Sequence, residues 1–169
     1  MGTPEPSLIT LELSGRESAR LRWAPVQEGA ENPRSPWLLE SEPDWRLLDS
    51  IRLVSASFDD GTALGVAALR PRDARGHGDD VVTARLVDAE GQETQPAETL
   101  VSVEHDADGV PRRVGLELWT DPDSSPMRAA ADRTDEATAG AGTEREAVPM
   151  RFRLDGMSGA GRFETIRPA

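Results

Sequence analysis

Apolar and polar residues alternate over short runs along most of the chain, and no helical spacing persists beyond two turns. A period of two predicts strands that turn one face to a core. The first runs are Leu8-Ile9-Thr10-Leu11-Glu12-Leu13, stopped by Ser14-Gly15, and Ala19-Arg20-Leu21-Arg22-Trp23 before Pro25. The strongest local signal is a hairpin running from Trp45–Leu48 through Arg52–Phe58, turning at Asp59-Asp60-Gly61 and returning along Thr62–Leu69. Further strands are predicted at Val81–Val87, Thr99–Val103, Val114–Trp119, Met127–Arg133, Met150–Leu154 and Arg162–Ile166, with a turn from Asp155 to Gly161. The short acidic turns Asp88–Gly91 and Asp106–Gly109 predict an up-and-down antiparallel meander, since βαβ units need crossover helices. The expected class is all-β, an antiparallel barrel of about nine strands; eight already enclose an interior that side chains or one ligand can fill.

Two stretches break the pattern. Residues 25–43 carry four prolines among Glu, Asn, Gly and Ser, which predicts an irregular loop, a lid or a linker, anchored by Trp37, Leu38 and Leu39. Residues 134–148, with Ala139-Gly140-Ala141-Gly142 at their middle, predict a flexible loop. With 169 residues the chain is long enough to bury a core unaided, so one β-barrel domain over 1–169 is expected. Near the first hairpin turn the small residues Ser55, Ala56, Ser57, Gly65, Ala67 and Ala68 fill both strand faces, which fits either a cavity wall or a tight strand crossing.

Composition removes chemistries rather than assigning one. The chain has no cysteine, which excludes disulfides, thiolate nucleophiles and Cys-ligated metal centres. All 19 basic residues are arginine, so a lysine Schiff base has no amine to form it, and no Gly-x-Ser-x-Gly elbow anchors a serine-hydrolase triad. A net charge of -12 with scattered arginines opposes a nucleic-acid partner. No run approaches the length of a membrane span, and Met1–Ser7 shows neither a basic nor an apolar leader region, so no membrane span and a cytoplasmic location are expected.

Three segments together carry a resemblance: Arg52–Leu69 with its Phe-Asp-Asp-Gly-Thr turn, Arg-Val-Gly-Leu-Glu-Leu-Trp at Arg113–Trp119, and the tail Met150–Arg167 with Phe-Arg-Leu-Asp-Gly-Met-Ser-Gly-Ala-Gly-Arg-Phe-Glu. They are similar to the closing domain of proteins related to carotenoid 1,2-hydratase and their lipocalin-like relatives. The resemblance implies a lipocalin-like barrel that accepts a small hydrophobic molecule, isoprenoid or polyketide in kind. In some relatives such a barrel promotes cofactor-free hydration, cyclisation or Diels–Alder closure. Those relatives usually carry two tandem barrels and this chain has the length of one, so a site built between barrels would be missing or would need a homodimer. No catalytic residue of the family is carried over.

The residues themselves offer three candidates for proton transfer. His77 sits in Arg-Gly-His-Gly-Asp-Asp and reads as a general acid or base oriented by Asp79 or Asp80, or as part of a solvated turn. His105, in Glu104-His105-Asp106, is a weaker version of the same cluster. Glu117 shares a strand face with Gly115 and Trp119, opposite Val114, Leu116 and Leu118. If the Gly115 face points inward, Glu117 is a carboxyl in an apolar barrel; if the Leu116 face does, it is solvated and Trp119 closes the rim. Trp119, Ser55, Ser57 and Trp37 are the candidate ligand-lining residues. Arg151 and Arg153 are assigned outward unless they pair with Glu117 or Glu164 inside. No cofactor is expected, nor a metal, because His77 and His105 lack the ligand spacing of zinc or iron sites. The candidate functions are cofactor-free catalysis in a cavity, a carrier with the same cavity, and an accessory β-domain with a filled interior.

Overall fold

The computed structural model describes residues 7–13, 15–24, 36–76, 79–134 and 145–168. Its strands are β1 (Ser7–Leu13), β2 (Arg16–Trp23), β3 (Trp37–Leu39), β4 (Leu48–Phe58), β5 (Ala63–Pro71), β6 (Val81–Val87), β7 (Glu93–Thr94), β8 (Glu98–His105), β9 (Pro111–Trp119), β10 (Met127–Arg133), β11 (Arg145–Leu154) and β12 (Met157–Ile166). Nine of them form one antiparallel sheet in the order β7-β6-β5-β4-β12-β11-β10-β9-β8, while β1-β2-β3 form a separate three-stranded sheet. The large sheet is two meanders joined where β4 meets β12, with Arg52 opposite Thr165 and Phe58 opposite Gly159. On the far side β6 comes back against β8, so the sheet curls round to a seam between those two strands. The expected all-β antiparallel class is present, as a sheet curled into a half-barrel that brings β6 near β8.

Period two decides what fills the barrel. Val54, Ala56 and Phe58 of β4, Leu64 and Val66 of β5, Val114, Leu116 and Leu118 of β9, and Met150, Phe152 and Leu154 of β11 point inward and pack into one buried cluster. Phe58 and Phe152 meet edge to face, with ring centroids 6.5 Å apart, from the two strands that flank Gly159. A Cβ on Gly159 would lie 2.6 Å from the Ser57 carbonyl oxygen, and one on Gly161 would lie 2.7 Å from Ala56 Cα. These glycines therefore belong to β12, where β4 approaches too closely for a side chain. That corrects the expected turn over Asp155–Gly161: the reversal takes only Asp155 and Gly156, both at positive φ (46° and 89°), as a two-residue hairpin demands.

The β4–β5, β6–β7 and β8–β9 turns share one device, an aspartate accepting from backbone N–H groups that follow it. Thr62 N donates to Asp60 (2.8 Å), Glu90 N and Gln92 N to Asp88, and Asp108 N and Val110 N to Asp106. These bonds explain why the strand connections are acidic. The backbone N–H of Thr62 holds the Asp60 carboxyl below its ordinary range, and the Arg133 guanidinium, 2.7 Å away, does the same for Asp106.

Strands β4 and β5 are buried on both faces, which is why they read as nearly continuous apolar or small residues. Their outer face carries Leu53, Ile51, Ala67 and Leu69, and the three-stranded sheet covers it with Ile9, Leu11, Leu21, Trp23 and Trp37. Trp23 lies flat where β5 has no side chain: a Cβ on Gly65 would sit 2.7 Å from its Cδ2. The Trp23 indole N–H donates to Ser55 Oγ (3.4 Å) and that of Trp37 to the Val54 carbonyl (2.9 Å), so neither buried ring leaves its donor unmet. The small residues beside the first hairpin thus admit a tight crossing of two sheets. Trp37–Leu39, expected to anchor an irregular loop, form a short strand; residues 25–35 lie outside the described residues, as do 135–144 of the predicted flexible loop, while 145–148 belong to β11.

One ion pair locks the layers. The Arg145 guanidinium donates to both oxygens of Glu164 at 3.2 Å and, through Nη2, to the Trp37 carbonyl at 2.8 Å. Glu164 is 2% exposed on the covered face of β12 and is paired with the partly exposed Arg145, while Arg151 and Arg153 point outward.

Gly65→Ala is expected to destabilise the fold by about 1–3 kcal/mol in urea unfolding, because the new methyl must displace Trp23; an unchanged midpoint would show that the indole does not rest on this glycine. Arg145→Met should cost about 1–2 kcal/mol in urea unfolding, and adding Glu164→Leu should restore part of it, since the variant removes a cation from a buried carboxylate. In an NMR titration the Asp60 and Asp106 carboxyls should titrate below a free aspartate. The stability they add is then complete above the unfolded-state value and lost as pH falls through the depressed folded values; ordinary midpoints would contradict the turn geometry.

Candidate functional site

The three-stranded sheet covers the outer face only over β4, β5 and their neighbours, so the outer face of β8–β11 carries its side chains into solvent. Register arranges them in rows across the strands. Leu100, Glu117 and Arg128 form one row. Ser102, Gly115, Ala130 and Arg153 form the next. Glu104, Arg113, Asp132 and Arg151 form a third. Three small residues in the middle row, between two rows of long ones, leave a trough running across the strands.

That trough is an open groove of about 1030 Å³. It runs from the β6–β8 seam, where Asp80 and the interior-packed Val82 and Val101 line it, over Leu100 on β8, to Ala130 and Arg153. Gly115 deepens its floor: a Cβ there would come 2.7 Å from Ser102 Oγ. Leu100, 49% exposed, is among the large apolar side chains left in solvent. A second recess of about 600 Å³ continues past Arg153 between Arg113, Arg151 and Ser158, and shares Ala130 and Arg153 with the groove.

Arg113 is engaged with Asp132 at 2.9 Å. Among the described residues, the side chains of Arg128, Arg151, Arg153 and Glu117 have no hydrogen-bond or ion-pair partner. Glu117 and Arg128 are register neighbours without forming an ion pair, and Asp155 accepts from the Arg128 backbone N–H instead.

The residues singled out from the sequence do not converge on one place. Glu117 lines the groove, half-buried, and lies on the outer face because Val114, Leu116 and Leu118 fill the interior. Trp119 follows it on the same face, half-buried at the strand end. His105 ends β8, exposed, at the opposite end of the barrel from the β11–β12 turn. His77 lies outside the described residues, and among those described no three His, Asp or Glu side chains gather as metal ligands. Ser55 and Trp37 are buried between the two sheets and Ser57 is half-buried on the same outer face of β4, away from the groove. Sequence reading missed Leu100, Ser102, Ala130, Arg128 and the part played by Gly115. Each looks ordinary on its own strand, and only register aligns them.

No protein-family model matches the chain, and none of the curated proteins is similar to it. Among solved structures, the fold is similar to that of the "putative AttH (NE1406)" from Nitrosomonas europaea. The TM-score is 0.52, with 20% identity, over 89% of this chain and 51% of that one. The chain spans about half the length of that protein. The likeness is one of fold, and no family model supports the resemblance to carotenoid 1,2-hydratase relatives.

Proposed function

We propose that the protein binds a small, largely apolar molecule in the groove on the outer face of β8–β11 rather than in the barrel interior. The observation that carries this reading is the groove itself: its volume falls at the upper end of what ligand sites use, and its floor is glycine, alanine and serine beside an exposed leucine. The barrel interior supports no comparable site, because the inward side chains already meet across it. A binding module with a filled barrel takes elements of both the carrier and the accessory-domain readings. Glu117, unpaired in the groove wall, supports a second reading in which the same site moves a proton on the bound molecule.

A neutral solvatochromic dye such as Nile red should bind with a blue-shifted emission. Ala130→Trp, which fills the trough from an exposed position, should weaken that binding at least about tenfold with an unchanged melting curve. Undiminished binding to Ala130→Trp, lost instead on overpacking the interior with Ala56→Leu, would place the ligand in the barrel. Glu117→Gln should leave dye binding intact.

A further inference from the structure

We infer that the ligand of this groove is an amphiphile with an oxyanion head, carboxylate or phosphate, whose apolar body lies along Leu100 and Val82 and whose head sits at Arg153 and Arg151. The inference rests on the groove reading and adds the chemistry of the molecule's two ends.

The argument is one of charge placement. A chain of net charge -12 repels anions at long range, so any anion must be drawn by a local array. Arg22, Arg133 and Arg145 are each held by a carboxylate, of Glu40, Asp106 and Glu164 respectively. Arg151 and Arg153 are two residues apart on one face of β11, both without a side-chain partner among the described residues. Both face the smaller recess, where the Asp132 carboxylate is already held by Arg113. Two free guanidiniums there, each a planar fork of donors, match the oxygens of a carboxylate or phosphate.

The larger groove has the other character. Its β6–β8 end offers Leu100 and, at the seam, Val82 and Val101, which also pack against the interior cluster; the acids that line the groove, Asp80, Glu98, Glu117 and Asp155, do not line the recess. An anionic head is therefore disfavoured in the groove proper and favoured just beyond Arg153, which belongs to both spaces. A molecule long enough to cross that boundary presents an apolar body to one and an oxyanion to the other.

The test displaces Nile red from the folded full chain with decanoate, decyl phosphate, decanol and decylammonium, each below its micellar concentration. Decanoate or decyl phosphate should bind at least about tenfold more tightly than decanol, and the preference should shrink as salt is raised. Whichever of the two is preferred identifies the head. Arg151→Gln, at an exposed position that lines only the recess, should reduce that preference about tenfold while leaving decanol unchanged, and Arg153→Gln should reduce it by at least as much. Equal binding of decanol and the anions, or tighter binding of decylammonium, would overturn the inference and leave the groove reading standing. Failure of the dye itself to bind would remove the groove reading first.

Discussion

The structure depends on a single steric condition, the absence of a side chain at Gly65 beneath the indole of Trp23. Through it the three-stranded sheet comes down on β5 closely enough for Trp23 and Trp37 to be sealed between the layers. Each buried tryptophan removes roughly 150–250 Å² from water, on the order of 4–6 kcal/mol as an upper bound. The same contact places Ser55 under one indole N–H and the Val54 carbonyl under the other, so polar satisfaction follows from the packing. Arg145 then completes the layer, neutralising Glu164 while holding the Trp37 carbonyl.

Covering half the outer face fixes what the other half can do. Strands sandwiched between the barrel core and the small sheet have no free surface, and the interior is occupied by Phe58, Phe152 and the aliphatic side chains around them. What remains is the outer face of β8–β11, where strands alternate in the ordinary way between a buried and a solvated side. A binding surface arises there only because Ser102, Gly115 and Ala130 are short where their row neighbours are long.

Much of this architecture was legible in the sequence, and the parts that were not share a cause. Alternation placed the strands of the barrel, including the weak Met127–Arg133, and aspartate–glycine pairs placed their turns, because both signals are local. The pattern Gly159-x-Gly161 misled as a turn since glycine serves reversals and close strand approach alike; only the neighbouring Phe58 and Ala56 decide which. Glu117 could be read onto either face from its own strand, and its outward position follows from the interior demand of Val114, Leu116 and Leu118. The groove was invisible because it is a property of a row across strands, and register cannot be read from one strand at a time.

Fold and site are consequently encoded by different residues. Gly65, Gly159 and Gly161 are constrained by backbone or ring atoms less than 3 Å from where a Cβ would stand, so a barrel of this kind needs them or an equivalent relief. Ala130 is exposed, and what crowds Gly115 is the movable hydroxyl of Ser102. A barrel could share this strand order and core while carrying longer side chains at those positions and no groove at all. A likeness of fold at 20% identity therefore transfers the layers and their closure, and leaves the ligand to be argued from the row of small residues and the two free arginines beyond it.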